Sequence, residues 1–399
     1  MTDPPTLWRA AYRHPTASAQ EFPPLSLPAM LEASAARVPD AALLDFLGRK
    51  YSYAETLSGA RRVACGLARL GIAKGDRVGL YLPNVPHYVA AYYGAMMAGA
   101  TVVNFSPLYT ADELAHQVAD SGTRLLFTLS ASSLLPTALE VLDKSGLERL
   151  VVGSVAGALP ATKGLFYRLF RGGEVAKRPD DPRILAFSAL IANEGTPPGV
   201  AIDPVEDVAL LQYTGGTTGT PKGAMLTHQA LSANARQIAA MDSMAGVEDR
   251  ILGALPLFHI FANAAVLNRT VLVGGEIVML PRFEAGQVLG AIARTKATAF
   301  PGVPTMYRAL LDHPRLARAD LSSLRVCVSG GAPLPAELKA QFEQATGATL
   351  VEGYGLTESG IASVNPYQGE NRTGTIGQPL PATLFRLVDR DDPTKPAAD

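Results

Sequence analysis

An α/β fold of two helix-covered, largely parallel sheets packed together is what this sequence predicts, and three observations lead to it. Short β-branched runs alternate with stretches of helical apolar spacing along most of the chain, the pattern of repeated β-α-β units. A length of 399 residues exceeds what one hydrophobic core usually serves, so more than one packed unit is expected. Hydrophobic residues make up 48% of the chain against 18% charged, enough apolar material for strands buried on both faces.

Taken in order, residues 1–59 read as an N-terminal lead-in. Six prolines between Pro4 and Pro28 keep its start extended, and ALLDFLGRKYSYAETL reads as two short strands around a turn at Gly48. Residues 60–203 read as a first α/β subdomain. Apolar residues recur at helical spacing from Ala60 to Leu70, GDRVGLYL makes a strand, YVAAYYGAMMAGA a helix and TVVNFSP a strand. The helix ADELAHQVADSG, the strand TRLLFTL, a helix from Thr137 to Lys144 and the strand ERLVVGS continue the rhythm. It breaks between Ala156 and Pro204, where Gly172, Gly173, Pro179, Pro182, Pro197 and Pro198 mark a joint. Residues 204–370 read as a second α/β subdomain. Its elements are strand DVALLQYT, helix HQALSANARQIAAM, strand RILGALP, an apolar helix after Phe258, strand GGEIVML, a helix from Val288 to Arg294, and strands ATAFPG and LRVCVSGG.

Charge and cysteine usage narrow the function classes. With 35 Lys plus Arg against 36 Asp plus Glu, no broad basic surface favours nucleic acid, and any anion site must be local. Cys65 and Cys327 lie far apart without metal-binding spacing, so both are expected to be core thiols in a reducing compartment. The N-terminus has no basic start followed by an apolar run, and no apolar stretch is long enough to span a membrane, so a cytoplasmic location is expected. Peripheral membrane contact and a homodimer are both compatible with this composition.

The most informative segment is TGGTTGTPKG, Thr214 to Gly223, placed after a hydrophobic strand and ahead of a helix. Gly215, Gly216 and Gly219 let backbone N–H groups approach phosphate oxygens, Thr214, Thr217, Thr218 and Thr220 add hydroxyl donors, and Lys222 supplies a point charge. No GxxxxGK[ST] aligns through Lys222 and no GxGxxG stands at a strand–helix junction, so this is a phosphate cradle of another kind. VEGYGLTES, Val351 to Ser359, offers Tyr354 for stacking on a base, Thr357 as a phosphate donor and Glu358 as a hard oxygen ligand for Mg²⁺; a plain strand-end loop is the competing reading. VCVSGGAPLP, Val326 to Pro335, is a strand ending in Gly330 and Gly331 before a proline-started helix with Glu337 near its first turn, and those glycines also suit an ordinary tight connection. LPLFHIFAN embeds His259 in an apolar run where a satisfied core histidine is the usual case, and GVPTMY reads as a strand end entering a helix. HExxH, GxSxG and paired-cysteine patterns do not occur.

TGGTTGTPKGAMLTH, PLFHIFA, GVPTMY, SGGAPLP, EGYGLTES and GTIGQPLP, in this order and spacing, resemble the motifs of AMP-forming acyl-CoA synthetases of the adenylating superfamily, with bacterial long-chain fatty-acid-CoA ligases the best match. The resemblance covers about residues 25 to 390. It implies that Thr214 to Lys222 wraps the triphosphate of ATP, with Thr214 and Glu358 near Mg²⁺. It further implies an adenine slot from Gly330, Gly331, Ala332 and Pro333 with Glu352, Gly353 and Tyr354, Gly355 as a further ATP-binding position, and a contact of Thr357 with the α-phosphate. His259 is implied at the acyl carboxylate, with Val303 and Pro304 beside the acyl passage; Lys222, His259, Thr357 and Glu358 are the implied catalytic set. The family also has a small β-barrel and a mobile C-terminal domain with an adenylation lysine. By that comparison residues 371–399 are an incomplete barrel strand and tail, and the C-terminal domain lies outside these 399 residues. Acyl-CoA formation by these residues alone is expected to be slow.

The implied reaction joins a fatty acid, ATP and CoA. A carboxylate attacks the α-phosphate to give acyl-AMP and pyrophosphate, and the CoA thiol then displaces AMP. The attacking carboxylate is already ionised, so the site must chiefly position reactants and neutralise phosphate charge, which agrees with motifs poor in acid–base residues. Activation of aryl or amino acids is an alternative within the same chemistry, although PLFHIFAN and GVPTMY contain no acidic residue to hold an α-amine. A noncatalytic nucleotide- or acyl-binding protein is the alternative from another class.

Overall fold

The structure, a computed structural model, describes residues 11–160, 162–164, 166, 172–214, 221–392 and 394–395. Chain order begins with helix α1 (Leu27–Arg37) and strands β1 (Ala42–Phe46) and β2 (Arg49–Ser52). Leu47 and Gly48 take φ of 55° and 101°, the left-handed pair a two-residue hairpin needs, and Asp45 accepts the Gly48 N–H at 2.9 Å. Helix α2 (Tyr53–Arg69) starts on a capping box between Ser52 and Glu55. Then come β3 (Arg77–Leu80), α3 (Pro86–Met97), β4 (Thr101–Asn104), α4 (Ala111–Ser121), β5 (Thr123–Leu129), α5 (Leu135–Lys144), β6 (Arg149–Gly153) and β7 (Ile184–Ala186). The strands β8 (Val208–Thr214) and β9 (Lys222–Thr227) precede helix α6 (His228–Ala239) and strand β10 (Arg250–Gly253).

A helical run, α7, follows in three segments: Ile260–Ala262, a π-turn over Asn263–Asn268 and Arg269–Val273. The remaining elements are β11 (Glu276–Met279), α8 (Ala285–Thr295), β12 (Ala299–Gly302), α9 (Pro304–Leu311), β13 (Val326–Ser329), α10 (Ala336–Thr346), β14 (Thr349–Leu356), β15 (Gly360–Val364) and β16 (Gln378–Pro379).

These strands form two sheets, one of seven in the order β7-β6-β5-β3-β4-β8-β9 and one of nine in the order β16-β15-β14-β13-β12-β10-β11-β1-β2. Their centres are parallel; β8–β9, β1–β2, β14–β15 and β15–β16 are antiparallel and lie at or near the edges. Sheet membership cuts across the divisions expected at residues 60 and 204. The hairpin β1–β2 joins the nine-stranded sheet through parallel pairing of β1 with β11, and β8–β9 closes the seven-stranded sheet through pairing of β8 with β4. No closed barrel forms among the described residues, and from 371 onward only β16 adds to a sheet. Cys327 is buried in β13 as expected, whereas Cys65 on α2 is only partly covered. No helix among the described residues is long and apolar enough to cross a membrane.

Helix α3 joins the sheets. Ten of its twelve residues are buried, and its tyrosines reach across the interface. Tyr92 and Tyr93 donate to Asn263 at 3.1 Å and Asn268 at 2.9 Å in the π-turn. Tyr88 Oη lies 2.9 Å from the Leu257 carbonyl and 2.9 Å from the Asn104 amide, which is 3.0 Å from the Gln212 amide on β8. Tyr88 shares its hydroxyl proton between Asn104 Oδ1 and the Leu257 carbonyl, while Asn104 Nδ2 donates to Gln212 Oε1. Just before α3, Asn84 donates to the Leu255 carbonyl at 2.8 Å and the Gly253 carbonyl at 3.2 Å and accepts from Leu257 N–H at 2.8 Å. A buried polar seam thus fixes the chain that leaves β10.

Candidate active site

The carboxyl ends of β10, β12, β13 and β14 face the end of β8 across a cavity of about 850 Å³. Open parallel sheets characteristically bind ligands at this edge. Thr214 comes from the seven-stranded side. Leu255, Pro256, Phe258, His259, Ile260, Phe261 and Ala262 form the wall after β10, with Val303 and Met306 from the start of α9. Val328, Gly330 and Gly331 close the end of β13, and Gly353 to Glu358 with Gly360 and Ile361 complete the site from the β14–β15 hairpin.

Contact leaves little room for a side chain at Gly330 and none at Gly355. A Cβ on Gly330 would stand 3.1 Å from the Phe261 ring, and one on Gly355 would fall 2.3 Å from the Gly360 carbonyl oxygen. The register of β14 against β15 shifts between Tyr354 and Gly355, a bulge that turns the strand where Tyr354 is 40% exposed. The expected strand-end loop is therefore a hairpin: the strand runs on to Leu356 and only residues 357–359 turn.

His259 caps the short helical segment that follows it, its Nδ1 accepting the Phe261 N–H at 3.3 Å. In the neutral ring that leaves Nε2 as the protonated nitrogen, a donor available to the cavity. Desolvation by the atoms around it lowers the His259 pKa from its usual value, although the side chain stays exposed at the cavity rim. Burial likewise raises the Glu352 carboxyl, against a hydrogen bond from the Leu334 backbone that lowers it. Glu352 sits in β14 opposite Ser329 and is half-buried behind the cavity rather than lining it.

The other expected positions divide in the same way. Thr214, His259, Val303, Gly330, Gly331, Gly353, Tyr354, Gly355, Thr357 and Glu358 share the cavity. Ala332 and Pro333 are exposed on the loop beyond Gly331, and Pro304 opens α9; none of the three is in the lining. Lys222 is exposed and begins β9, paired in register with Thr214, whose hydroxyl donates to the Lys222 carbonyl at 3.4 Å. Gly215, Gly216, Thr217, Thr218, Gly219 and Thr220 lie outside the described residues. The strand before these residues pairs antiparallel with β9 after them, so a strand, and not a helix, comes next in the chain. The strands missed from the sequence include β7, β15 and β9, of which β9 buries only Leu226 and so shows little alternation.

Leu255, Phe258, Phe261, Met306, Val328 and Ile361 were not singled out from sequence, yet they supply the apolar wall. Met306 three positions after Val303 on α9 is the one with a readable signal, the helical repeat. Among the described residues no three His, Cys, Asp or Glu converge on a metal position. The Glu358 carboxylate and Thr214 hydroxyl are hard oxygen donors on the same cavity, a set that fits Mg²⁺ carried in by phosphates rather than an all-protein cage.

Known proteins resemble this chain in sequence and fold. A family model described as AMP-binding enzyme matches residues 31–398. A long-chain-fatty-acid-CoA ligase of Bacillus subtilis (strain 168) is 41% identical over 382 residues, covering 94% of this chain and 68% of that protein. Among solved structures, an anthranilate CoA ligase in complex with anthranoyl-AMP superimposes with a TM-score of 0.83 at 26% identity, over 95% of this chain and 68% of that one. A long-chain-fatty-acid-CoA ligase from Archaeoglobus fulgidus gives 0.78 at 27% identity, over 95% and 73%. The chain spans about two thirds of the length of the curated relatives it matches. With its two-sheet α/β architecture, this chain belongs to the AMP-binding enzyme family.

Proposed function

We propose that this chain carries the substrate-activating site of a long-chain fatty-acid-CoA ligase, using ATP to convert a fatty acid to its acyl-adenylate for transfer to CoA. The observation that supports this most is the composition of one cavity: an apolar wall from Leu255, Phe258, Phe261, Met306 and Val328 meets a polar edge from Thr214, Thr357 and Glu358. A fatty acid laid along the first brings its carboxylate to the second. His259 Nε2–H donates to that carboxylate and holds it in line with the α-phosphorus. Thr357 donates to the α-phosphate and Lys222, at the mouth of the phosphate hairpin, neutralises the outer phosphates. A carboxylate oxygen forms the new bond to phosphorus as the bond to the pyrophosphate oxygen breaks. Glu358 and Thr214 would hold Mg²⁺, which would screen phosphate charge. Tyr354 stacks on adenine beside Gly330 and Gly331, whose lack of side chains lets the base lie against the backbone.

Carboxylate-dependent exchange of labelled pyrophosphate into ATP tests the proposal, with palmitate and anthranilate compared. Exchange with palmitate and little with anthranilate is expected. The reverse would favour an aryl-acid ligase, the reading that the anthranilate enzyme's similarity recommends, and no exchange with either acid would contradict activation at this site.

A further inference from the structure

Helix α6 begins directly after β9, the strand that opens with Lys222, and its far side meets the hairpin that carries Thr357 and Glu358. Among the described residues, the side-chain hydrogen bonds between helix and hairpin come from Asn234. Asn234, 4% exposed, accepts the Ile361 N–H at 3.0 Å and donates to the Ile361 carbonyl at 2.7 Å, so its carboxamide pairs with backbone as a neighbouring strand would. Gly360 has a φ of 69°, and a Cβ there would lie 2.5 Å from Asn234 Oδ1. The turn 357–359 is thereby pinned at its exit by a group that fits only against glycine. Gln237, one turn on, accepts from Asn234 at 3.1 Å and donates to the Pro381 carbonyl at 2.7 Å, fixing the orientation of the amide.

We propose that Asn234 is a positioning residue: through its two bonds to Ile361 it holds the Thr357–Glu358 turn in a fixed relation to the strand of Lys222, so that cation and phosphate contacts from the two sheets meet on one nucleotide. This rests on the assignment of Glu358 to Mg²⁺ made above. Asn234 touches no substrate. Its removal leaves the apolar wall in place and frees the turn, so the loss falls on metal-dependent nucleotide binding.

The test measures ATP affinity with Mg²⁺ and with chelator, and palmitate affinity, for the unaltered chain, Glu358→Gln, Asn234→Ala and Asn234→Asp. Ser232→Ala is the control, because it removes a different buried bond of α6, to the Leu25 carbonyl at 2.7 Å. The expected result is a Mg²⁺-dependent gain in ATP affinity that falls about tenfold or more in both Glu358→Gln and Asn234→Ala. Metal-free ATP and palmitate binding should be kept, and Ser232→Ala should match the unaltered chain. Asn234→Asp, which retains the acceptor for Ile361 N–H, should recover part of the gain, and it carries the test if the alanine variant does not fold. Retention of the full gain in Asn234→Ala, or equal loss of all three affinities, overturns the positioning role while leaving Glu358 assigned. An unchanged gain in Glu358→Gln overturns the metal assignment and the positioning role with it.

Discussion

Replacing Asn84 by alanine should loosen the wall of the cavity from beneath. Asn84 is 2% exposed and satisfies three backbone groups of the chain leaving β10. The Gly253 carbonyl keeps a second partner, the Leu280 N–H at 3.1 Å, so Asn84→Ala strands two groups, the Leu255 carbonyl and the Leu257 N–H. Leu255 and Leu257 are themselves buried, at 5% and 1% exposure. Each orphaned group costs about 1–3 kcal/mol, or about 2–6 kcal/mol together, and water entering the vacated space should bring the loss to the lower half, about 2–4 kcal/mol. The same segment carries Pro256, Phe258 and His259 into the cavity, so palmitate affinity should fall more than ATP affinity. Urea denaturation followed by far-UV circular dichroism gives the stability, and calorimetry gives the two affinities. A loss below about 0.5 kcal/mol, the scale of an ordinary surface change, would refute the idea that Asn84 anchors this wall.

Lys222→Ala should weaken ATP binding by about 1.5–3 kcal/mol, the worth of a charge-assisted contact, with palmitate binding kept; calorimetry with each ligand decides it, and equal losses would point to unfolding. Asp249→Ala removes the carboxylate that Arg269 meets at 2.7 Å and that Arg325 also contacts; Arg269 keeps Asp242 at 3.1 Å as a remaining partner, so stability should fall by about 1.5–3 kcal/mol in urea melts, the worth of a lost charge-assisted contact. Burial holds His87 and His228 neutral, with pKa values lowered to about 4 from 6.5. Between those pH values the unfolded chain binds more protons than the folded one, so stability should fall as pH drops from 6.5 toward 4. His87→Phe, which keeps a ring against Phe187, should flatten the slope by at most about 1.4 kcal/mol per pH unit, and an unchanged slope would contradict the buried neutral state.

Much of the fold was legible because its central strands are buried on both faces. Runs such as TVVN and VCVS, fully covered in β4 and β13, are near-continuous in apolar and β-branched residues. The hairpin at Gly48 was legible for a local reason, since left-handed backbone selects glycine. Long-range pairing was not. Nothing local in ALLDF shows that β1 lies beside β11, about 230 residues later, because any strand of similar character satisfies the same ladder. β9 escaped notice because an edge strand with one buried residue leaves almost no alternation to read. Of the site, motifs disclosed residues that the structure places on the cavity, such as Thr357, Glu358 and Gly330. Phe261 and Met306 were hidden because an apolar side chain that faces a ligand is chemically the same as one that faces a core. Asn234 and Asn84 were hidden because their partners are backbone groups more than 120 residues away.

The central claim, that one cavity holds nucleotide and acyl chain end to end, is tested most directly by the affinity of a stable acyl-adenylate mimic, palmitoyl-sulfamoyl-adenosine. Because the mimic occupies both parts of the site without the entropy loss of assembling two ligands, it should bind at least about 10²-fold more tightly than ATP or palmitate alone. It should also lose that advantage in a Gly330→Val variant, which drives Phe261 into the cavity. Binding no tighter than that of the better separate ligand would contradict the claim.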